Sequence, residues 1–280
     1  MSQTLLAKKE AMKFLGLKEK VFENYYRSAK EFSPVARVNN RGRFFFDRDI
    51  LNKWKKSYDW RTVILTREDY NLCLDFALAM HFRGYVLSDW GTARQREFGQ
   101  KLTNWIKGQL GEVAVQKFLK DKFNLEIKLD FNIYNAIVPQ DIVEITVNKV
   151  KRKPKIGVGI KSSKPKNVAL VLGSNEIEIP TRSSNVYIFC RPDLPDDHLL
   201  RIGVDEVIKS VRDKPHYPVY KDAIPRFNNM SSEIVGFCYK ENLEKVTEIP
   251  GQVFDGSRYV KLSGDLKRSE KDWKELISKL

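Results

Sequence analysis

The sequence has few of the residues that most often carry metal or redox chemistry. Its 280 residues include only three cysteines and three histidines. Cys73, Cys190 and Cys238 are scattered through apolar contexts such as VYIFCR and IVGFCYK, which favours reduced core thiols over a metal-ligating or nucleophilic role. The histidines are far apart, with no HxH or HxxxH spacing, so the sequence does not indicate a zinc-dependent site.

Long apolar runs are also missing. No stretch approaches the roughly 20 apolar residues that a membrane helix needs, and the N-terminal MSQTLLAKKE lacks the apolar core of a signal peptide. We therefore expect a cytoplasmic protein with no membrane contact. The sequence also contains no glycine-rich phosphate loop, so we expect no nucleotide cofactor.

Acidic residues are too few to balance the basic ones. The chain has 50 Lys and Arg against 36 Asp and Glu, a formal net charge of +14. A soluble protein this basic usually binds a polyanion, and nucleic acid is the default partner. A basic surface without a partner is the alternative. Residues 1–61 hold 15 Lys and Arg against 7 Asp and Glu, so the first segment is the best candidate for a DNA-binding module.

The first segment has a recognisable order of elements. Apolar residues recur at helical spacing in two short runs on either side of Gly16, which predicts two helices with Gly16 ending the first. The NNRG turn between ARV and RFFF predicts a β-hairpin. Asp47 or Asp49 is then expected to cap a third helix.

This order, carried by KKEAMKFLGL, RVNNRGRFFF and RDILNKW, resembles the winged helix-turn-helix of the excisionase and MerR type. In that family the second helix enters the major groove and the wing contacts the DNA backbone or the minor groove. The resemblance implies a DNA-binding domain over residues 1–60. It implies DNA contacts from the second helix and the wing, at Lys18, Lys20, Asn24, Arg27, Arg37, Arg41 and Arg43. A small helical cap with merely solvated basic residues is the alternative.

The remainder, residues 61–280, is expected to form a second domain. SYDWRTVILTREDY reads as the crossing into it, and Thr66 is predicted to cap a helix. RGYVLSDWGTARQREFG reads as a loop, and a long helix follows. Glu112 interrupts the apolar stripe of that helix, and a buried carboxylate usually needs a cation or a metal ion. The alternative is a partly exposed Glu that contacts Gln116 one turn later.

Residues 139–164, PQDIVEITVNKVKRKPKIGVGIKSSK, carry the most informative pattern. They read as two strands joined by a basic turn, with Asp141 entering the first strand and Lys161 in the second. Alternation places Gly159 and Lys161 on the same face of the second strand. VALVLG, EIEIP and NVYIFCR are further candidate strands. RPDLPDDHLLRI reads as a proline-containing loop, and the C-terminal segment around Trp273 reads as an amphipathic helix that packs on this domain.

These residue types suit phosphodiester hydrolysis. The reaction needs an activated water and stabilisation of charge on the phosphate and the leaving oxygen. Mg²⁺ supplies both while it is held by a few carboxylates. A nearby lysine can orient or help to deprotonate the water and can offset the phosphate charge.

GQLGEVAVQKFL, PQDIVEI and VGIKSSK together resemble the PD-(D/E)xK nuclease superfamily, above all its type II restriction endonucleases. The resemblance covers about residues 100–190. It implies an α/β (α+β) core with a central mixed β-sheet flanked by helices. It also implies Glu112 and Asp141 as Mg²⁺ ligands, with Mn²⁺ as a substitute, and Lys161 as the catalytic lysine. Ser162, Ser163 and Lys164 are the expected phosphate contacts.

Two departures from the family pattern affect the site. Gln140 separates Pro139 from Asp141, which is a minor change. Gly159 replaces the second acid, which removes a carboxylate from the metal site. Glu112 is the preferred source of the missing charge. Glu144 is the alternative, although a regular strand would direct it to the opposite face from Asp141.

The sequence therefore predicts a sequence-specific endonuclease that cleaves double-stranded DNA with Mg²⁺. A type II restriction enzyme is the preferred setting, and a homodimer is expected because two strands must be cut. A methylation-directed or repair nuclease is the alternative within the same class. A DNA-binding regulator with an inactive nuclease fold is the alternative from another class.

Overall fold

The computed structural model describes residues 5–19, 21–23, 36–38, 43–84, 97–133, 141–147, 149–249 and 251–280. The helices in these ranges, in chain order, are α1 (Lys8–Leu15), α2 (Arg48–Trp60), α3 (Arg67–Ala79), α4 (Phe98–Phe123), α5 (Ser174–Glu178), α6 (His198–Ile202), α7 (Val204–Ser210), α8 (Tyr217–Ala223) and α9 (Glu270–Lys279). The strands are β1 (Leu5–Ala7), β2 (Ala36–Val38), β3 (Arg43–Asp47), β4 (Thr62–Leu65), β5 (Glu126–Leu129), β6 (Ile142–Val147), β7 (Val150–Arg152), β8 (Val158–Ser162), β9 (Ala169–Gly173), β10 (Val186–Pro192), β11 (Met230–Tyr239), β12 (Glu244–Ile249) and β13 (Gln252–Leu262). The chain is therefore of the mixed helix and strand class that the sequence predicted.

The N-terminal elements form a small sheet with two helices against it. Helix α1 ends at Gly16, whose φ of 68° is left-handed, so the predicted role of this glycine is confirmed. Strands β2 and β3 pair antiparallel as the predicted hairpin, and β1 adds to the other edge of β3. Asp47 is the cap of α2, because its Oδ1 accepts hydrogen bonds from the backbone N–H groups of Asp49 and Ile50. A small core of apolar side chains holds these elements together, at Ala11, Leu15, Phe22, Phe46, Leu51 and Trp54.

The crossing from the first segment to the second is a continuous piece of structure. Helix α2 runs to Trp60, and β4 begins two residues later and pairs with β11. The Arg61 side chain, 1% exposed, donates from Nη1 to Glu233 Oε1 at 2.9 Å and to the Ile234 carbonyl at 3.0 Å. The sequence interpretation of this stretch did not include a strand.

A four-stranded mixed sheet, in the order β4-β11-β10-β8, lies at the centre of the larger unit. Strand β10 pairs antiparallel with β11 and parallel with β8, so β8 is a terminal strand of this sheet. Helices α3 and α4 contribute to the core on one face. Thr66 caps α3 as predicted, because its hydroxyl accepts a hydrogen bond from the Asp69 backbone N–H.

Residues 139–164 do not form the simple hairpin that the sequence suggested. Strand β6 pairs with β5 on one side and with β7 on the other, while β8 joins the central sheet. A tight turn at Lys149, whose φ is 66°, reverses the chain into β7. Lys151 and Arg152, the first residues of the predicted basic turn, therefore lie in a strand. The basic segment therefore separates two sheets instead of joining two paired strands.

Two further segments differ from the sequence interpretation. EIEIP was expected to be a strand, but Ser174–Glu178 is the short helix α5, because Ile177 turns inward to a core that includes Leu172 and Tyr187. RPDLPDDHLLRI is a loop only at residues 193–197, because its first two residues end β10 and α6 begins at His198. The expected C-terminal helix is confirmed as α9, with Trp273 and Leu276 in the main core.

Most of the loop predicted after α3, residues 85–96, lies outside the described residues. Among the helices that the structure does describe, none is both long enough and apolar enough to cross a bilayer.

Candidate active site

Strand β8 is the element on which the predicted catalytic residues meet. Asp141 lies directly before β6 and is attached to the free edge of β8 by two hydrogen bonds. Its backbone N–H donates to the Val158 carbonyl at 3.1 Å, and its Oδ2 accepts from the Ile160 backbone N–H at 2.5 Å. Asp141 is therefore fixed one residue away from Lys161 at the edge of the central sheet.

Helix α4 approaches the same strand from one face of the sheet, and Gly111 allows the close contact. A Cβ atom at Gly111 would lie 1.8 Å from Ser162 Oγ and 3.4 Å from Cys190 Cβ. The Ser162 hydroxyl in turn donates to the Gly108 carbonyl at 3.4 Å. A larger residue at position 111 would push the helix away from β8, and with it the next residue, Glu112.

Glu112 is buried, with 8% of the residue exposed. Its Oε1 accepts a hydrogen bond from Gln109 Nε2 at 2.9 Å, and the Gln109 Oε1 has no hydrogen-bond partner among the described residues. Burial raises the pKa of the Glu112 carboxyl well above its ordinary value, and the Asp141 charge raises it further, while Lys161 acts in the opposite direction. The charges of Glu112, Asp141 and Lys161 are thus close enough to interact.

The pKa of Asp141 is raised for a similar reason. Burial has the largest effect, and the carboxylates of Glu176 and Asp130 add to it, while Lys161 and the Ile160 N–H lower the pKa. Glu112 is likewise affected by Asp130, which follows β5. Burial is thus the main reason why ionisation of Glu112 and Asp141 is opposed, and the neighbouring carboxylates add to it.

Glu176 lies beside the predicted residues but was not predicted from the sequence. The Lys161 Nζ lies 2.7 Å from Glu176 Oε1, with 35% and 29% of the two side chains exposed. Glu176 belongs to α5, which the sequence interpretation had treated as a strand. The alternation of EIEIP predicts a strand with Glu176 and Glu178 on one face. The segment is helical instead, so the strand period did not indicate that Glu176 lies beside Lys161. Asp130 was also missed, because it follows a strand with no motif around it.

The place where the family pattern expects the second acid is filled by other side chains. A Cβ atom at Gly159 would lie 3.1 Å from Ser184 Oγ and 3.1 Å from two carbons of the Tyr187 ring. Tyr187 is the register partner of Gly159 on the neighbouring strand β10, and its hydroxyl accepts a hydrogen bond from the Ser184 backbone N–H at 2.9 Å. A carboxylate side chain would need this tyrosine to move.

Glu144 is engaged elsewhere. Its Oε1 lies 3.7 Å from Lys151 Nζ, on the strand that follows β6. The β5–β6 register shifts between Lys128 and Leu129, so a bulge of the kind considered from the sequence is present. Glu144 is thus paired with a lysine of β7, while Lys161 is paired with Glu176.

The donor set suits a hard divalent cation. Carboxylate and amide oxygens are the ligand atoms that Mg²⁺ and Mn²⁺ prefer, and Glu112, Asp141 and the unpartnered Gln109 Oε1 are of this kind. Within the described part of the chain, no three His, Cys, Asp or Glu side chains are arranged as a ready metal cage. Mg²⁺ is usually held by one or two carboxylates and keeps several waters, so two carboxylates fit this ion.

Basic side chains continue along the end of β8. Lys164 Nζ pairs with Asp196 Oδ1 at 2.6 Å, and Asn167 Nδ2 donates to the Ser163 hydroxyl. Lys107 of α4 is partly buried, and its pKa is lowered first by burial and then by the charge of Lys164. The sequence interpretation did not single out Lys107, because one lysine on a long helix carries no motif.

The predicted DNA-contacting residues of the first segment are only partly described. Lys18 is exposed after α1. Arg37 and Arg43 lie in β2 and β3, in the hairpin, although the structure describes only their backbone. Lys20, Asn24, Arg27 and Arg41 lie outside the described residues.

The histidine and the cysteines closest to this region have structural roles. His198 is fully buried, and its Nδ1 and Nε2 lie 2.7 Å from the Tyr70 hydroxyl and 3.0 Å from Thr103 Oγ1. Burial lowers the pKa of His198 to about 4. The three cysteines are free and buried, as predicted.

Comparisons of the chain with protein-family models, with curated proteins and with solved structures gave no match.

Proposed function

We propose that the protein is a metal-dependent endonuclease that hydrolyses phosphodiester bonds of double-stranded DNA. The observation that carries the proposal is the meeting of Asp141, Glu112 and Lys161 at the free edge of β8. The three residues come from a strand entry, a helix and a second strand, and their sequence separation makes such a meeting informative. They are also the three residues that the resemblance to PD-(D/E)xK nucleases selected.

In this proposal Asp141 and Glu112 hold Mg²⁺ through carboxylate oxygens, and the Gln109 amide oxygen is a further candidate ligand. The ion, when bound, would supply an activated water and stabilise charge on the phosphate and the leaving oxygen. Both carboxyl groups would ionise more readily beside a cation, whereas burial opposes their ionisation. Their raised pKa values are therefore what a site prepared for a cation would have.

Lys161 acts as a cation in this proposal and not as the base that removes a proton from water. Burial lowers the pKa of Lys161, but Glu176 and Asp141 together raise it above its ordinary value of 10.5. An ammonium group that stays protonated at neutral pH can offset charge on the attacked phosphate. It can also orient the attacking water as a hydrogen-bond donor.

DNA binding is assigned to two regions. Lys107 and Lys164 extend positive charge from the end of β8 and are suited to the backbone beside the cleaved phosphate. The first segment, with its hairpin and its excess of basic residues, is proposed to read sequence in the manner of a winged helix. A restriction enzyme acting as a homodimer is the setting that we propose, because each active site cuts one strand.

A DNA-binding protein with an inactive nuclease fold is the second candidate. The ion pair between Lys161 and Glu176 favours it, since the ammonium group already has a carboxylate partner. The absence of an acid at position 159 points in the same direction.

Cleavage of duplex DNA separates these candidates. Unmethylated DNA would be incubated with Mg²⁺ and the wild type, Asp141→Ala, Glu112→Ala or Glu144→Ala, after DNA binding by each variant has been measured. We expect discrete fragments with the wild type and with Glu144→Ala, and none with the other two. Binding without cleavage in Mg²⁺ or Mn²⁺ would support the inactive fold. Cleavage that survives Glu112→Ala but not Glu144→Ala would assign the second acid to Glu144.

A further inference from the structure

The ion pair of Lys161 is half-buried, and the helix that carries its glutamate is anchored in the core. Glu176 lies in α5. Its neighbour Ile177 is 4% exposed and belongs to a cluster with Leu172 and Tyr187. At the start of the same helix, Ser174 Oγ donates to the Ser257 carbonyl at 2.9 Å. Glu176 is thus held at a defined position relative to β8.

Gly159 lets the core approach in this way. The ring of Tyr187 packs against Gly159, and the same tyrosine belongs to the cluster that seats Ile177. A side chain at position 159 would displace the ring and, through the cluster, the helix that carries Glu176. The glycine at position 159 and the helix that carries Glu176 are therefore parts of one packing arrangement.

We propose that Glu176 is a positioning residue that fixes the Lys161 ammonium group at the edge of β8. The proposal rests on the proposed nuclease function. The carboxylate acts through the lysine, because Glu176 Oε1 forms an ion pair with Lys161 Nζ at 2.7 Å. Without this partner the long Lys161 side chain would sample several rotamers.

The test compares Glu176→Gln with Glu176→Asp and with the control Glu178→Gln. Glu178 lies two residues later on the same helix, is exposed, and pairs with Lys245 at 2.7 Å. In single-turnover cleavage we expect Glu176→Gln to lose about 10²-fold in rate, as other misplacements of a catalytic group do. Glu176→Asp should regain part of this loss, and Glu178→Gln should cut at the rate of the wild type.

Two further measurements separate positioning from metal binding. The Kd for DNA and the Mg²⁺ concentration that gives half the maximal rate should be the same in Glu176→Gln as in the wild type. Recovery of the lost rate at high Mg²⁺ would make Glu176 a metal ligand and overturn the proposal. Cleavage by Glu176→Gln as fast as by the wild type, or faster, would also overturn it.

A spectroscopic readout does not require cleavage. Reductive methylation with ¹³C-formaldehyde labels each lysine, and the Lys161 signal is identified by its loss in Lys161→Arg. That signal should shift in Glu176→Gln and stay in place in Glu178→Gln. A wild type that does not cut would contradict the proposed function, while an unmoved Lys161 signal in Glu176→Gln would contradict the ion pair itself.

Discussion

Glu112 shows how a single residue ties stability to function. Burial, and to a smaller extent the Asp141 charge, oppose ionisation of its carboxyl group and raise its pKa. The folded state therefore favours the protonated form, and stability is lost as pH rises from the ordinary pKa of 4.5 towards the higher pKa of the folded state. A group that costs stability when charged is common at sites that bind a cation or perform chemistry.

The first prediction follows from this sign. Glu112→Gln removes the charge but keeps the shape, so in EDTA at pH 8 its Tm should exceed that of the wild type. The difference should shrink as pH falls towards 4, where the wild-type carboxyl is also neutral. Added Mg²⁺ should raise the Tm of the wild type more than that of Glu112→Gln. Thermal unfolding over this pH range checks the prediction, and a lower Tm for Glu112→Gln at pH 8 would contradict it.

The close packing of Gly111 on β8 should be measurable as a difference in unfolding free energy between two glycine substitutions in α4. Gly→Ala inside a helix usually stabilises by about 1 kcal/mol, and Gly108→Ala should do so because a Cβ there meets nothing within 4 Å. Gly111→Ala should lose this gain, since its Cβ would strike Ser162 Oγ. Adding Ser162→Ala to Gly111→Ala should restore part of it. Urea unfolding of the three variants measures the differences, and equal stabilisation by Gly108→Ala and Gly111→Ala would show that the helix is not pressed on β8.

At the scale of elements, helices with caps and apolar stripes were predictable from sequence. Thr66, Asp47 and Gly16 each mark a helix end through a local contact, and local contacts are what a sequence pattern records. The three candidate site residues were selected because each lies in a short motif. The structure places Asp141 beside β8 and the helix of Glu112 against the same strand, and their proposed roles stay predictions.

Pairing between distant strands was not predictable in the same way. Strand β8 pairs with β10 beyond β9 and α5 in the sequence, and β6 pairs with β5 and, through the turn at Lys149, with β7. Glu176 was missed for a related reason. Alternation in EIEIP mimics a strand, but burial of Ile177 against Tyr187 favours a helical turn.

The junction of α2 and β4 gives an element-scale prediction. Arg61 forms a buried ion pair with Glu233, which also lies 3.3 Å from Arg191 Nη1. Arg61→Ala should cost about 3–5 kcal/mol of unfolding free energy, as broken buried pairs do. Lys55→Ala, which removes an exposed pair with Asp59 on the same helix, should cost about 0.3–0.5 kcal/mol. Denaturant unfolding compares them, and similar losses for both would mean that the buried pair does not stabilise the junction.

The basic end of β8 gives a prediction about DNA binding. If Lys107 and Lys164 each contact a backbone phosphate, Lys107→Gln and Lys164→Gln should each reduce the slope of log K against log salt by about 1. The control is Lys274→Gln on α9, where Lys274 pairs with Glu270. Binding titrations from low to high salt provide the slopes. Unchanged slopes in both variants would place the DNA away from this end of the strand.

At the scale of the whole molecule, the chain combines a basic first segment with a mixed α+β unit that has a carboxylate and lysine cluster at one sheet edge. The net charge of +14 favours a polyanionic partner. The cluster adds what DNA binding alone does not require, namely carboxyl groups buried at a cost beside a fixed lysine. These two parts together are the basis on which we propose a nuclease.

The most direct measurement is cleavage triggered by metal in a complex that has already formed. Wild type and Asp141→Ala would be bound to unmethylated duplex DNA in EDTA, and excess Mg²⁺ would then be added and the products separated. We expect discrete fragments from the wild type and intact DNA from Asp141→Ala at equal occupancy. DNA that stays bound and intact with the wild type in both Mg²⁺ and Mn²⁺ would contradict it.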